Sequence, residues 1–138
     1  MLKPIASLMA VGLLLLAACG TVDTVEPGPI TSFEDIAGIY ENQTRIYFAG
    51  YLHFFEDGTW HGSSNRDLVE DRPSEIWESR FEGTKVFLKQ TKGICKDNPD
   101  AIYEIHLLEN GNLQLVAIED MCPRRVGAWD GREYAPVP

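Results

Sequence analysis

Three glycine-bearing turns do most to limit the fold. Glu56-Asp57-Gly58, Glu82-Gly83-Thr84 and Glu109-Asn110-Gly111 each separate two runs in which apolar and polar residues alternate. Alternation is the pattern of a half-buried strand, and a short loop with glycine between two such runs is a hairpin. The paired runs are 45–55 with 59–63, 74–81 with 85–90, and 101–108 with 112–118. No stretch after Gly38 keeps a helical period over helix length. Short strands joined by tight turns predict an all-β fold, an antiparallel barrel or sandwich.

The turns also set which side chains share a face. Asp-Gly and Asn-Gly at the end of a three-residue loop suit a type I turn followed by a left-handed glycine. In the third hairpin that register pairs Leu107 with Leu113. Tyr103, Ile105, Leu107, Leu113, Leu115 and Ala117 then share one face, and Glu104, His106, Asn112 and Gln114 the other. A two-residue loop would bring Gln114 beside Leu107 and segregate the faces less well. In the first hairpin the same register pairs Phe54 with Trp60. It turns Leu52, Phe54 and Trp60 inward and sets His53 opposite His61 outside. Gly50 marks a break or bulge in the run 45–55. Ahead of the hairpins, Ile39-Tyr40-Glu41 starts a strand. Thr31 or Ser32 caps a short helical turn with Glu34 and Asp35 at its start and Gly38 at its end. Residues 65–73 and 93–100 are loops, and Trp129 to Tyr134 is expected as the closing strand.

The first 20 residues follow a different logic. Lys3 is followed by an uncharged run from Ile5 to Ala18. As a helix that run spans roughly 21 Å, short of the ~30 Å hydrocarbon core of a bilayer. A positive start, a short apolar middle and small residues at the end predict a signal peptide, residues 1–18. Leu16-Ala17-Ala18-Cys19, followed by Gly20, resembles the lipobox of bacterial lipoproteins. The resemblance implies cleavage before Cys19, a diacylglycerol on its thiol and, in the usual case, an acyl chain such as palmitate on its new amino group. Two or three acyl chains hold a soluble domain where one holds it marginally. The expected location is extracytoplasmic, anchored to a bacterial cell membrane (the outer membrane if the cell has one). Residues 19–30, with Pro27, Gly28 and Pro29, read as a tether, and 31–138 as a single domain.

Removing Lys3 leaves 11 Lys and Arg against 21 Asp and Glu, a net charge of about −10. Such a chain repels phosphate backbones, which argues against nucleic-acid binding. It also repels anionic headgroups, so the anchor must hold the membrane without a basic patch. With Cys19 acylated, Cys95 and Cys122 remain. An even pair in an exported chain predicts a disulfide, worth roughly 3.5 kcal/mol by the chain-entropy model at this separation.

Candidate chemistry is sparse. His53 and His61 could offer two imidazoles to a metal, but a stable site wants a third and fourth ligand. Ser63 and Ser64 beside His61 form no nucleophile elbow. Glu119, Asp120, Asp97 and Asp100 lack the glycine-spaced pattern of a calcium loop. No enzyme, metal or cofactor is expected.

The run Phe33-Glu34-Asp35-Ile36-Ala37-Gly38-Ile39-Tyr40 resembles the start of lipocalins and fatty-acid-binding proteins, where a helical turn leads into Gly-x-Trp on the first strand. There the Trp packs on a late arginine, a place that Arg124 or Arg125, followed by Trp129, occupies here. Asp120-Met121-Cys122-Pro123-Arg124-Arg125 is similar to a run in small bacterial lipocalin-like lipoproteins. The resemblance implies an up-and-down barrel that binds or carries a small apolar molecule. Leu52, Phe54, Trp60, Tyr103, Ile105, Leu107, Leu113 and Leu115 would then line its lumen. The alternative is an envelope structural or protein-interaction lipoprotein with a packed barrel and no ligand.

Overall fold

A computed structural model describes residues 25–44 and 50–138. The expected signal peptide, Cys19, most of the tether and the start of the run 45–55 lie outside the described residues. Among the described residues there are nine strands: β1 (Gly28–Pro29), β2 (Gly38–Asn42), β3 (Tyr51–Phe54), β4 (Thr59–Ser63), β5 (Glu75–Glu82), β6 (Lys85–Lys92), β7 (Ala101–Leu107), β8 (Leu113–Glu119) and β9 (Glu133–Pro136). Consecutive strands from β2 to β9 pair antiparallel, and β9 returns to β2. The result is a closed eight-stranded up-and-down barrel.

The turn chemistry sets its registers. Phe54 pairs with Trp60 and His53 with His61, around Gly58 at φ 91°. Leu107 pairs with Leu113, Ile105 with Leu115 and His106 with Gln114, around Gly111 at φ 85°. Both are the three-residue loops the sequence predicts. In the middle hairpin Glu82 pairs with Lys85, so its loop is the two residues Gly83 and Thr84.

The barrel interior is filled. Leu52, Phe54, Trp60, Tyr103, Ile105, Leu113 and Leu115 are at most 1% exposed, and Leu107 packs partly buried against them. Aromatic contacts run the length of the barrel. Phe33 meets Trp60 at 6.1 Å, Trp60 meets Trp129 at 5.6 Å, and Trp129 meets Trp77 at 4.8 Å and Tyr103 at 5.4 Å between ring centroids. In an eight-stranded barrel side chains of this size leave little free lumen.

The two ends are closed by different means. At the hairpin end a 3-10 turn, Phe33–Asp35, is capped by the Ser32 hydroxyl, which accepts from the Glu34 N–H at 3.2 Å. It lowers Phe33 onto Phe81, 4.5 Å between centroids. At the other end sits a short helix, α1 (Pro123–Trp129).

Three sequence expectations need correction. Trp129 ends α1 rather than starting a strand, and the closing strand begins at Glu133. Pro123 takes the first helical position, where its missing N–H costs nothing. The segment expected as tether through Ile30 already belongs to the barrel. Gly28 and Pro29 pair with Leu107 and His106, the Ile30 N–H donates to the Ile105 carbonyl at 2.9 Å, and Ile30 is 3% exposed. The cause is a gap in pairing: β6 covers β7 only from Ala101 to Glu104, which leaves β7 backbone groups to be satisfied beyond it. The arginine contact implied for Tyr40 is also replaced. Tyr40 packs edge-on against Phe54 at 5.5 Å, and Arg125 is held elsewhere.

Candidate functional site

The α1 end of the barrel is polar because its inward positions are polar. Along β5 the inward series runs Phe81, Ser79, Trp77, Glu75, and along β6 Val86, Leu88, Gln90. The register shifts between Ile76 and Trp77, and Thr91 bonds the Ile76 carbonyl at 3.3 Å. Irregularities of this kind at a barrel rim re-aim side chains. Asn42 at the end of β2 donates to the Ala128 carbonyl at 3.3 Å and ties α1 to the rim.

Arg125 and Asp120 form the latch. The guanidinium donates through Nε and Nη2 to the two Asp120 oxygens, at 2.6 and 2.8 Å. Its Nη1 donates to Gln90 Oε1 at 3.0 Å. Asp120 also accepts from the Tyr103 hydroxyl at 2.6 Å and from the Cys122 N–H at 2.9 Å. The Arg125 and Asp120 side chains are 3% and 0% exposed. Burial alone would raise the Asp120 carboxyl, but the bonds from Arg125 and Tyr103 outweigh it and hold it below its ordinary value. Burial, with the Asp120 bond second, pushes the Tyr103 hydroxyl far up. The disulfide joins Cys95 of the 93–100 loop to Cys122, the residue capping α1.

Between this latch and the β4–β5 rim lies a cavity of about 250 Å³. Trp77, Trp129, Ala128 and Cys95 give it apolar walls; Glu75, Gln90, Arg124 and Arg125 give it polar ones. Ile94, 61% exposed, stands on its lip. Two glycines allow the close packing of its walls. A Cβ at Gly93 would collide with Gln90 Nε2, and a Cβ at Gly62 would come within 2.8 Å of the Trp77 ring and 3.4 Å of Glu75 Oε2. Burial raises the Glu75 carboxyl above its ordinary value, although a bond with Gln90 and the charges of Arg125 and Arg124 pull the other way. The Trp77 and Trp129 indole N–H groups are buried and find no hydrogen-bond partner among the described residues.

None of the eight residues expected to line a lumen borders this cavity. They form the filled middle of the barrel instead. The cavity residues Glu75, Trp77 and Gln90 were not singled out from the sequence, although strand parity with Leu88 and Phe81 marks all three as inward. His53 and His61 do face each other outside, with ring centroids 6.4 Å apart. Phe55 stacks on His53 at 3.9 Å, and His61 Nδ1 lies 3.0 Å from the Glu70 carbonyl. Among the described residues no group of three or more His, Cys, Asp and Glu is placed to hold a metal. Asp97 and Asp100 stay exposed in their loop, while Asp120 turns inward to Arg125. Among the described residues no helix is long and apolar enough to cross a membrane.

Compared with family models, with curated proteins and with solved structures, the chain matches none.

Proposed function

We propose that this chain is a lipid-anchored extracytoplasmic barrel that binds a small molecule at its α1 end. The observation that carries the reading is the cavity lined by Trp77, Trp129 and Gly93. At about 250 Å³ it is below the ~300–1,000 Å³ of pockets for drug-sized ligands, so the occupant is small. The direction of β1 suits the anchor. Gly28 lies beside Leu107 at the hairpin end, and the chain then climbs to Ile30 beside Ile105. Cys19 is nine residues before Gly28, at most about 32 Å of chain. An acylated Cys19 would bring the hairpin end to the membrane and turn the cavity away from it.

The filled interior favours a second reading, a packed interaction barrel without a ligand. The two separate in one experiment. The full chain in lipid nanodiscs is titrated calorimetrically with small amphiphilic compounds, beside the variant Ser64→Trp, which puts an indole at the cavity rim. Ligand binding predicts saturable heat in the parent and its loss in the variant. No saturable binding by the parent selects the packed barrel.

A further inference from the structure

We infer that the occupant of the α1-end cavity is a small organic cation, an amine with an apolar body, held by the Glu75 carboxylate beside the indoles of Trp77 and Trp129. The inference rests on reading the cavity as a ligand site, and it adds the ligand's chemistry.

Four observations lead to it. The Glu75 carboxylate and the Trp77 and Trp129 indoles line one cavity, with Glu75 and the Trp77 ring packed side by side over Gly62. A cation there meets a carboxylate and an aromatic wall together, the pairing that recognises ammonium groups. Of the two cavity arginines, Arg125 is already committed to an anion of the protein itself. Arg125 spends Nε and Nη2 on Asp120 and Nη1 on Gln90, so its charge is matched where it stands. Arg124 also interacts within the protein. Burial nevertheless outweighs both arginines at Glu75, so its charged form lacks full compensation. A bound cation supplies that compensation, whereas an anion would face the carboxylate at close range with little water between. The acidic chain, net −9, draws cations toward it.

The test uses phenethylamine, its neutral counterpart 2-phenylethanol and the anion 3-phenylpropionate, each titrated into the full chain in nanodiscs of zwitterionic lipid. The amine should bind about tenfold or more tighter than the alcohol, as expected for a charge-assisted contact. Glu75→Gln should abolish that preference. The amine–alcohol difference in the parent needs no variant, so it stands even if Glu75→Gln folds poorly. Equal binding of all three, or tightest binding of the anion, would overturn the cation inference and leave the ligand site standing. Binding by none of them, with no saturable response from the wider compound set, would overturn both.

Discussion

The two ends of the barrel solve one problem in opposite ways. At the hairpin end Phe33 packs on Phe81 and Trp60 over Gly58, whose added Cβ would collide with the Ser79 carbonyl. Closure there is apolar and tight. At the α1 end a buried ion pair, a disulfide and two inward polar side chains surround a cavity. Buried ion pairs add little net stability over apolar packing, yet breaking one is costly. A chain that can close one end with a phenylalanine has no stability reason to close the other with Arg125, Asp120 and Glu75. The proposed ligand site would account for the difference.

The comparison is sharpest at two carboxyls. Asp120 accepts four hydrogen bonds and is held below its ordinary value; Glu75 is held above it. Asp120→Asn should give the largest effect, about 3–5 kcal/mol of stability by denaturant titration, because Arg125 stays buried without its partner. The pH dependence follows. A depressed carboxyl stabilises the fold above its unfolded value of 3.8, and that contribution is lost as the pH falls through the folded one. The parent should weaken below that point, and Asp120→Asn should flatten the decline. A change under about 1 kcal/mol would show that the latch is not what closes this end.

Replacing Cys95 and Cys122 together by alanine should cost about 3.5 kcal/mol and weaken ligand binding, since the bond joins two walls of the cavity. Phe33→Ala should cost somewhat less, about 3 kcal/mol, because Phe33 is at the barrel end rather than its middle. It should leave binding unchanged, and equal loss of binding from both ends would erase the distinction between them. Gly62→Ala should cost about 1–3 kcal/mol by pressing on the Trp77 ring, with binding impaired. Glu75→Gln should have the smallest effect and the opposite sign. A raised carboxyl favours the fold below its unfolded value of 4.5, and that benefit is lost as the pH rises through the folded one. Near neutral pH the variant should therefore be slightly more stable than the parent, as removal of a strained site residue often is.

Much of the barrel was legible because glycine turns fix register, and register fixes faces. Asp57-Gly58 and Asn110-Gly111 predicted which residues of four strands point inward. The disulfide was legible from cysteine arithmetic. Helix α1 was not, since seven residues give too few turns for a period to show and Pro123 alone is a weak start signal. Strand β1 was hidden because Gly28 and Pro29 read as breakers; a two-residue edge pairing tolerates both. The site escaped for a related reason. Glu75 and Gln90 have inward parity, but a polar residue at a strand end looks like a solvated rim until a helix is known to cover it.

The proposed ligand sits under α1 and not in the filled lumen. The chain has three tryptophans, so indole N–H resonances of the ¹⁵N-labelled full chain in nanodiscs report on both places. During a phenethylamine titration, Trp77 and Trp129 should show the largest saturable shifts. Trp60, 5.6 Å from Trp129 between ring centroids, should follow with a smaller one. A largest shift at Trp60 accompanied by the methyl groups of Leu52, Ile105 and Leu115 would put the ligand in the lumen and contradict the account.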